Sequence, residues 1–179
     1  MVTRYPDTDQ SISIRAFAPD DAAQVRDLFV RINRSLAPPR MADAFERYIA
    51  RSLREEIDRI EAYYGERHGG FWVAVDGVRI VGMFGLELIS AGVMELRRMY
   101  VDPAARRRGI ARMMLEFAEA ECRRRRMRRL DLSTSELQEA AVALYRNSGF
   151  DLTREEAAVT ESNKTVGAGL RRFHFAKAL

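Results

Sequence analysis

Between residues 97 and 115 the chain reads RRMYVDPAARRRGIARMML, and its residue types suit the capture of an anion. Gly109 stands just before an apolar pattern of helical spacing. The first-turn amides of such a helix have no partners within it and point outward at its start. A glycine there lets the backbone approach a ligand closely or take a positive φ, and Ala111 keeps the next turn small. Arg106, Arg107, Arg108 and Arg112 add guanidinium forks suited to phosphate. The pattern is neither a Walker loop, which needs Gly-Lys-Ser/Thr, nor the Gly-x-Gly-x-x-Gly of dinucleotide folds. The arginine count alone decides nothing. Of the 30 basic residues only Lys164 and Lys177 are lysine, and at that arginine frequency about one run of three arises by chance.

The remaining reactive side chains read blandly. Cys122 is a lone cysteine on a helical stretch with no histidine near it in sequence, which fits a small buried apolar residue better than a nucleophile. His68 and His174 make no metal-ligand spacing with an acidic or cysteine cluster, so no metal is expected. The run ECRRRRMRR, residues 121–129, has glutamates just before it, no interleaved aromatics and no reader motif. Nucleic-acid binding is therefore the least favoured reading. The net charge of +4 is mostly cancellation, 30 basic residues against 26 acidic, and weak evidence for any partner.

Elements that could position the glycine junction follow from hydrophobic spacing. Residues 11–17 alternate as a half-buried strand, and Val25, Leu28, Phe29 and Ile32 give the next segment a helical face. Phe45, Tyr48, Ile49, Leu53, Ile57, Ile60 and Tyr64 extend one helical pattern across residues 41–64. Two strands then meet at the hairpin signal Asp76-Gly77, and residues 93–101 form a third, closed by Asp102-Pro103. A helix runs from Ile110 through Met113, Met114, Phe117 and Ala118. A strand at 129–135, a short helix ending at Gly149 and two final strands complete the order β α α β β β α β α β β. That order predicts a mixed α/β or α+β fold in one domain over residues 1–179. No apolar run reaches the ~18 residues of a membrane span. The amino terminus lacks a secretory core, and a single cysteine agrees with a reducing, cytoplasmic setting in which the sequons at Asn33 and Asn163 carry no meaning.

Two segments then carry a resemblance. RRRGIA matches the Q/R-x-x-G-x-G/A motif of the GCN5-related N-acetyltransferases, with Arg106 first, Gly109 fourth and Ala111 sixth. AVALYRNSGF, residues 141–150, resembles the A-x-x-L-Y-x-x-x-G-F segment of that superfamily, in the right order and on the right elements. The resemblance implies a mixed, mostly antiparallel sheet whose central strands splay apart, with acetyl-CoA in the gap. It implies that the strand end at Met99, Tyr100 and Val101 pairs with the pantetheine arm, and that Arg106, Arg107, Arg108, Gly109, Ile110, Ala111 and Arg112 hold the pyrophosphate. Tyr145 corresponds to the usual proton donor to the thiolate. Glu95, eleven residues before Arg106, stands where histone-type members place a catalytic glutamate. It reads equally well as a half-exposed strand glutamate paired with an arginine. Strand alternation puts it on one face with Arg97, Met99 and Val101. Members that acetylate ribosomal-protein amino termini carry a glutamate and an asparagine where this chain has Ser133 and Gln138. Ser133 cannot be a base, which disfavours that subfamily, whereas Gln138 keeps an amide able to bond the pantetheine. Arg97 and Arg98 read as solvated strand arginines, with a substrate carboxylate as their alternative partner. The acceptor, a small-molecule or peptide amine, is expected between residues 34–67 and 160–170, and a homodimer is common in the superfamily. An acyl-CoA-binding sensor without turnover is the second reading.

Overall fold

The structure, a computed structural model, describes residues 12–179. The expected start of the first strand at Ser11 lies outside the described residues. Seven strands, β1 (Ile12–Ala16), β2 (Gly70–Asp76), β3 (Arg79–Ser90), β4 (Val93–Val101), β5 (Arg129–Ser135), β6 (Asp151–Ala158) and β7 (Leu170–Ala178), form one sheet in the order β1-β2-β3-β4-β5-β7-β6. Every pairing is antiparallel except β4 with β5. The expected mixed, mostly antiparallel sheet is what forms.

Helices cover both faces, which is why β2 and β3 are near-continuous apolar runs rather than alternating ones. On one face α1 (Ala22–Leu36), α2 (Ala42–Glu55) and α3 (Ile60–Glu66) bury Leu28, Phe29, Phe45 and Tyr64 against Val73 and Met83. On the other, α4 (Ile110–Arg124) and α5 (Glu139–Asn147) bury Met114, Leu115 and Tyr145 against Phe84, Leu132 and Phe175.

Two expectations need correction. The helical pattern over 41–64 is not one helix. It breaks at Glu56, whose backbone sits at φ −139°, ψ −62°, and resumes at Ile60 after one 3-10 turn. The physical reason is the Glu56 carboxylate, which is fully buried among arginines and could not reach them from a continuous helix surface. Strand alternation also fails within β4. Arg98 has φ 54°, and the β3–β4 register slips between Met83 and Gly85. A bulge adds one residue and swaps the faces beyond it. Met99 and Val101 therefore pack with the α4 core, while Arg97 turns to the α2–α3 side, away from them.

Beside this bulge β4 and β5 stay paired only from Val93 to Leu96, opposite Arg129 to Leu132. Past those residues β4 has only β3 and β5 only β7, so the parallel pair opens into a gap whose strand edges have no backbone partner across it.

Candidate active site

The floor of the gap is an ionic cluster built from three distant segments. Glu56 Oε2 accepts from Arg97 Nη2 and Arg98 Nη2, both at 2.7 Å, and Glu56 Oε1 accepts from Arg98 Nε at 3.1 Å and the Tyr64 hydroxyl at 2.6 Å. Arg98 also donates to the Tyr48 hydroxyl and to the Asn163 carbonyl, and Arg97 to Tyr63 and Glu87. Burial pushes the Glu56 carboxyl up, but the fields of Arg98 and Arg97 and their hydrogen bonds override it and hold the group below the usual glutamate value. Gly85 makes room for the cluster, since a Cβ there would collide with the Tyr64 ring. Arg97 and Arg98 are thus neither solvated nor free for a substrate carboxylate, which corrects both readings of them.

Above that floor lies a cleft lined by Tyr48, Glu95, Met99, Tyr100, Gln138 and Tyr145, among others. Glu95 is paired, but with a lysine rather than an arginine. Lys164 Nζ, carried on the β6–β7 connection, sits 2.5 Å from Glu95 Oε2 and 2.7 Å from Glu87 Oε1. Burial works against the Lys164 charge, but the Glu95 field and the hydrogen bonds to Glu87 and Glu95 together outweigh it, so the ammonium pKa is raised. The two carboxylates stand directly opposite each other in the β3–β4 register. Together they form a pocket that holds an ammonium group.

Tyr145 enters from α5. Its ring packs on Phe150 and Phe175, with centroids 5.8 and 5.9 Å away, and its hydroxyl has no hydrogen-bond partner among the described residues. Burial, then the neighbouring Tyr100, raises its pKa above the ordinary phenol value, so the group stays protonated near neutrality. Gln138 accepts from Thr134 Oγ1 at 3.1 Å, leaving its amide nitrogen for the cleft.

The glycine junction has the geometry its sequence suggests. Gly109 precedes α4 at φ 74°, and Arg107 is also left-handed at φ 64°. Such successive turns aim free amides at one point. Ile110 is buried, so only its backbone can contribute. Arg108 Nη1 is held by Asp76 at 2.7 Å and Arg112 lies 3.4 Å from Glu116, whereas no ion pair among the described residues engages Arg106 or Arg107. Sequence reading singled out two local pieces of this candidate region, the junction before α4 and Tyr145. It missed the Glu56 cluster, Lys164 and Arg172, none of which sits in a recognisable motif.

Elsewhere, Cys122 is fully buried in the α4 core, and burial pushes its thiol up to about 12, which leaves it inert at neutral pH. The arginines of 121–129 are largely spoken for. Arg123 pairs with Glu119, Arg124 and Arg125 with Glu121, and Arg129 with Asp131. No helix among the described residues is long and apolar enough to cross a membrane.

A sheet that splays beside a β-bulge, followed at once by a glycine-led helix, defines an acyl-CoA N-acyltransferase fold. The chain belongs to the GNAT acetyltransferase family, whose model matches residues 27–150. It is 27% identical over 137 residues to N-acetyltransferase family 8 member 2 of Rattus norvegicus, covering 74% of this chain and 59% of that one. Across the curated relatives compared, it spans 48–59% of their length. Among solved structures it resembles a GNAT-family acetyltransferase of Staphylococcus aureus Mu50 (TM-score 0.74, 20% identity, 94% of this chain and 99% of that one). It also resembles the PaiA N-acetyltransferase of Thermoplasma acidophilum in complex with coenzyme A (TM-score 0.70, 18% identity, 94% and 99%).

Proposed function

We propose that the chain is an acetyl-CoA-dependent N-acetyltransferase, one domain over residues 1–179 acting in the cytoplasm, that passes acetyl directly to an amine in a ternary complex. The observation that carries this reading is the gap beyond Leu96 and Leu132, which has Tyr145 and Glu95 in its lining and the α4 amides downstream. When bound, acetyl-CoA supplies an activated thioester. The edge of β4 at Met99, Tyr100 and Val101 offers strand-like bonds to the pantetheine amides, with Gln138 beside it. Amides around Gly109, Ile110 and Ala111 suit the pyrophosphate, with Arg106, Arg107, Arg108 and Arg112 adding charge. Glu95 takes a proton from the acceptor ammonium, directly or through a water. The freed nitrogen forms the new C–N bond as the C–S bond breaks, Tyr145 gives its proton to the departing sulfur, and the second proton that the nitrogen sheds on becoming an amide returns to the tyrosinate through water.

Thiol release from acetyl-CoA over a panel of amines, with acetyl-CoA binding measured separately, tests the reading. Binding without release would leave an acyl-CoA sensor. Glu95→Gln should lower kcat/KM roughly 10²-fold. An unchanged kcat/KM would remove Glu95 from the role of base.

Gly109→Val should weaken acetyl-CoA binding more than Arg107→Ala does. A β-branched residue at φ 74° is strained by about 1–2 kcal/mol, enough to turn the amides away and cost about tenfold in Kd. Calorimetric titration with acetyl-CoA gives the ranking, and the reverse order would mean that charge rather than backbone geometry makes the site.

A further inference from the structure

Arg172 has the one cationic side chain in the cleft lining with no carboxylate partner among the described residues. Four cations line that cleft. Arg97 and Arg98 are held by Glu56, and Lys164 by Glu87 and Glu95. Arg172 instead donates from Nη2 to the Ser133 hydroxyl at 2.5 Å. Its neighbour in register on β6 is Glu156, yet no ion pair joins the two, and Glu156 Oε1 instead meets His174 at 2.7 Å and Arg154 at 3.3 Å. Burial is the largest influence on the Arg172 guanidinium and lowers its pKa, despite the fields of Tyr48, Tyr100, Glu95 and Glu156. A charged fork this desolvated, bonded only to a hydroxyl, has room for an anion as a partner, and Arg172 is part of the cleft lining.

The sheet explains where that anion would sit. Arg172 lies opposite Ser135 and shares a face with Ser133, while the intervening Thr134 belongs to the other face. Leu132 and Phe175 of that other face pack in the α4 core with Tyr145. Arg172 is therefore on the side of the sheet away from α4, as are Arg97 and the α2–α3 helices. Glu95 is near enough for its field to act on Arg172. One cleft thus combines a carboxylate pair that already holds an ammonium, that of Lys164, with an unfilled guanidinium fork.

We propose that the acceptor is an amine that also carries a carboxylate, such as a free α-amino acid, with Arg172 binding the carboxylate while Glu95 receives the amine. This rests on the acetyltransferase reading. It narrows the acceptor to a zwitterion and sets aside amines without an acid group.

The test uses L-amino acids against their matched carboxamides, with thiol release from acetyl-CoA as readout, for the wild type, Arg172→Met and Arg172→Lys. The wild type should prefer acids. Arg172→Met should lose roughly 10–100-fold in kcat/KM on acids, mainly through KM, the range set by loss of a charge-assisted bond. Its use of carboxamides and its affinity for acetyl-CoA should hold, and Arg172→Lys should recover part of the loss. Equal use of acid and carboxamide by the wild type, or a preference for acids that survives in Arg172→Met, overturns the proposal and leaves the acetyltransferase reading standing. Absence of thiol release with every amine, in a protein that still binds acetyl-CoA, sinks the transferase reading and this proposal with it.

Discussion

Replacing Glu56 with glutamine is expected to lower stability by about 3–5 kcal/mol, the usual cost of removing one partner from a buried ion pair. For a chain of this size that is a fall in Tm of roughly 6–20 °C. The side chain is 0% exposed, and its charge is opposed to two guanidinium groups that are 5% and 3% exposed. Arg97 keeps Glu87 at 3.2 Å after the change. Arg98 keeps only neutral acceptors, the Tyr48 hydroxyl and the Asn163 carbonyl, and the face of the Phe29 ring 5.0 Å away. The uncompensated charge on Arg98 is therefore the main penalty. Glu56→Gln combined with Arg98→Met should regain part of the loss, since a neutral pair of similar volume no longer buries a lone charge.

The pH dependence has a definite sign. The folded Glu56 pKa lies below its unfolded value, so the stabilisation it brings is complete above the ordinary glutamate value of ~4.3 and disappears as pH falls through the lower folded value. Wild type and Glu56→Gln should thus differ most near neutrality and converge in strong acid. Urea unfolding at a series of pH values measures this. A constant difference down to the lowest pH would mean that shape, not charge, is what glutamine fails to supply.

This cluster also explains which parts of the molecule were open to sequence reading. Gly109 and the residues before Tyr145 belong to contiguous segments, so their chemistry and their order along the chain are visible together. Glu56, Arg97 and Arg98 are 41 and 42 residues apart and meet only because α2 stops and β4 bulges. Apolar spacing through Leu53, Ile57 and Ile60 stays helical across that stop, because periodicity records which residues face the core and not where the backbone kinks between them. The same limit hid the swap of faces at Arg98, since alternation assumes an unbroken pleat. Arg172 looks like any other arginine on a late strand. Its significance depends on Glu156 being claimed by His174 and Arg154, a matter of which partners compete in three dimensions.

Tyr145→Phe should lower the single-turnover rate by roughly 10²-fold or more while leaving acetyl-CoA affinity intact. Phenylalanine preserves the ring that packs on Phe150 and Phe175, so the α5 interface has no reason to move. What is lost is one hydroxyl, which has no hydrogen-bond partner among the described residues, from a side chain that lines the cleft. Burial and Tyr100 hold the phenol protonated beyond the ordinary tyrosine value of ~10, so the donor is fully charged with its proton throughout the neutral range. A wild-type rate limited by this step should accordingly show no decline from Tyr145 between neutral pH and ~10, with any acid limb arising from the base instead. Rapid mixing of enzyme-bound acetyl-CoA with acceptor, followed by quenching, separates this step from product release. If the phenylalanine variant kept the full single-turnover rate, water would be the proton donor to the thiolate, and the open tyrosine hydroxyl would be left with orienting the thioester as its only part in the reaction.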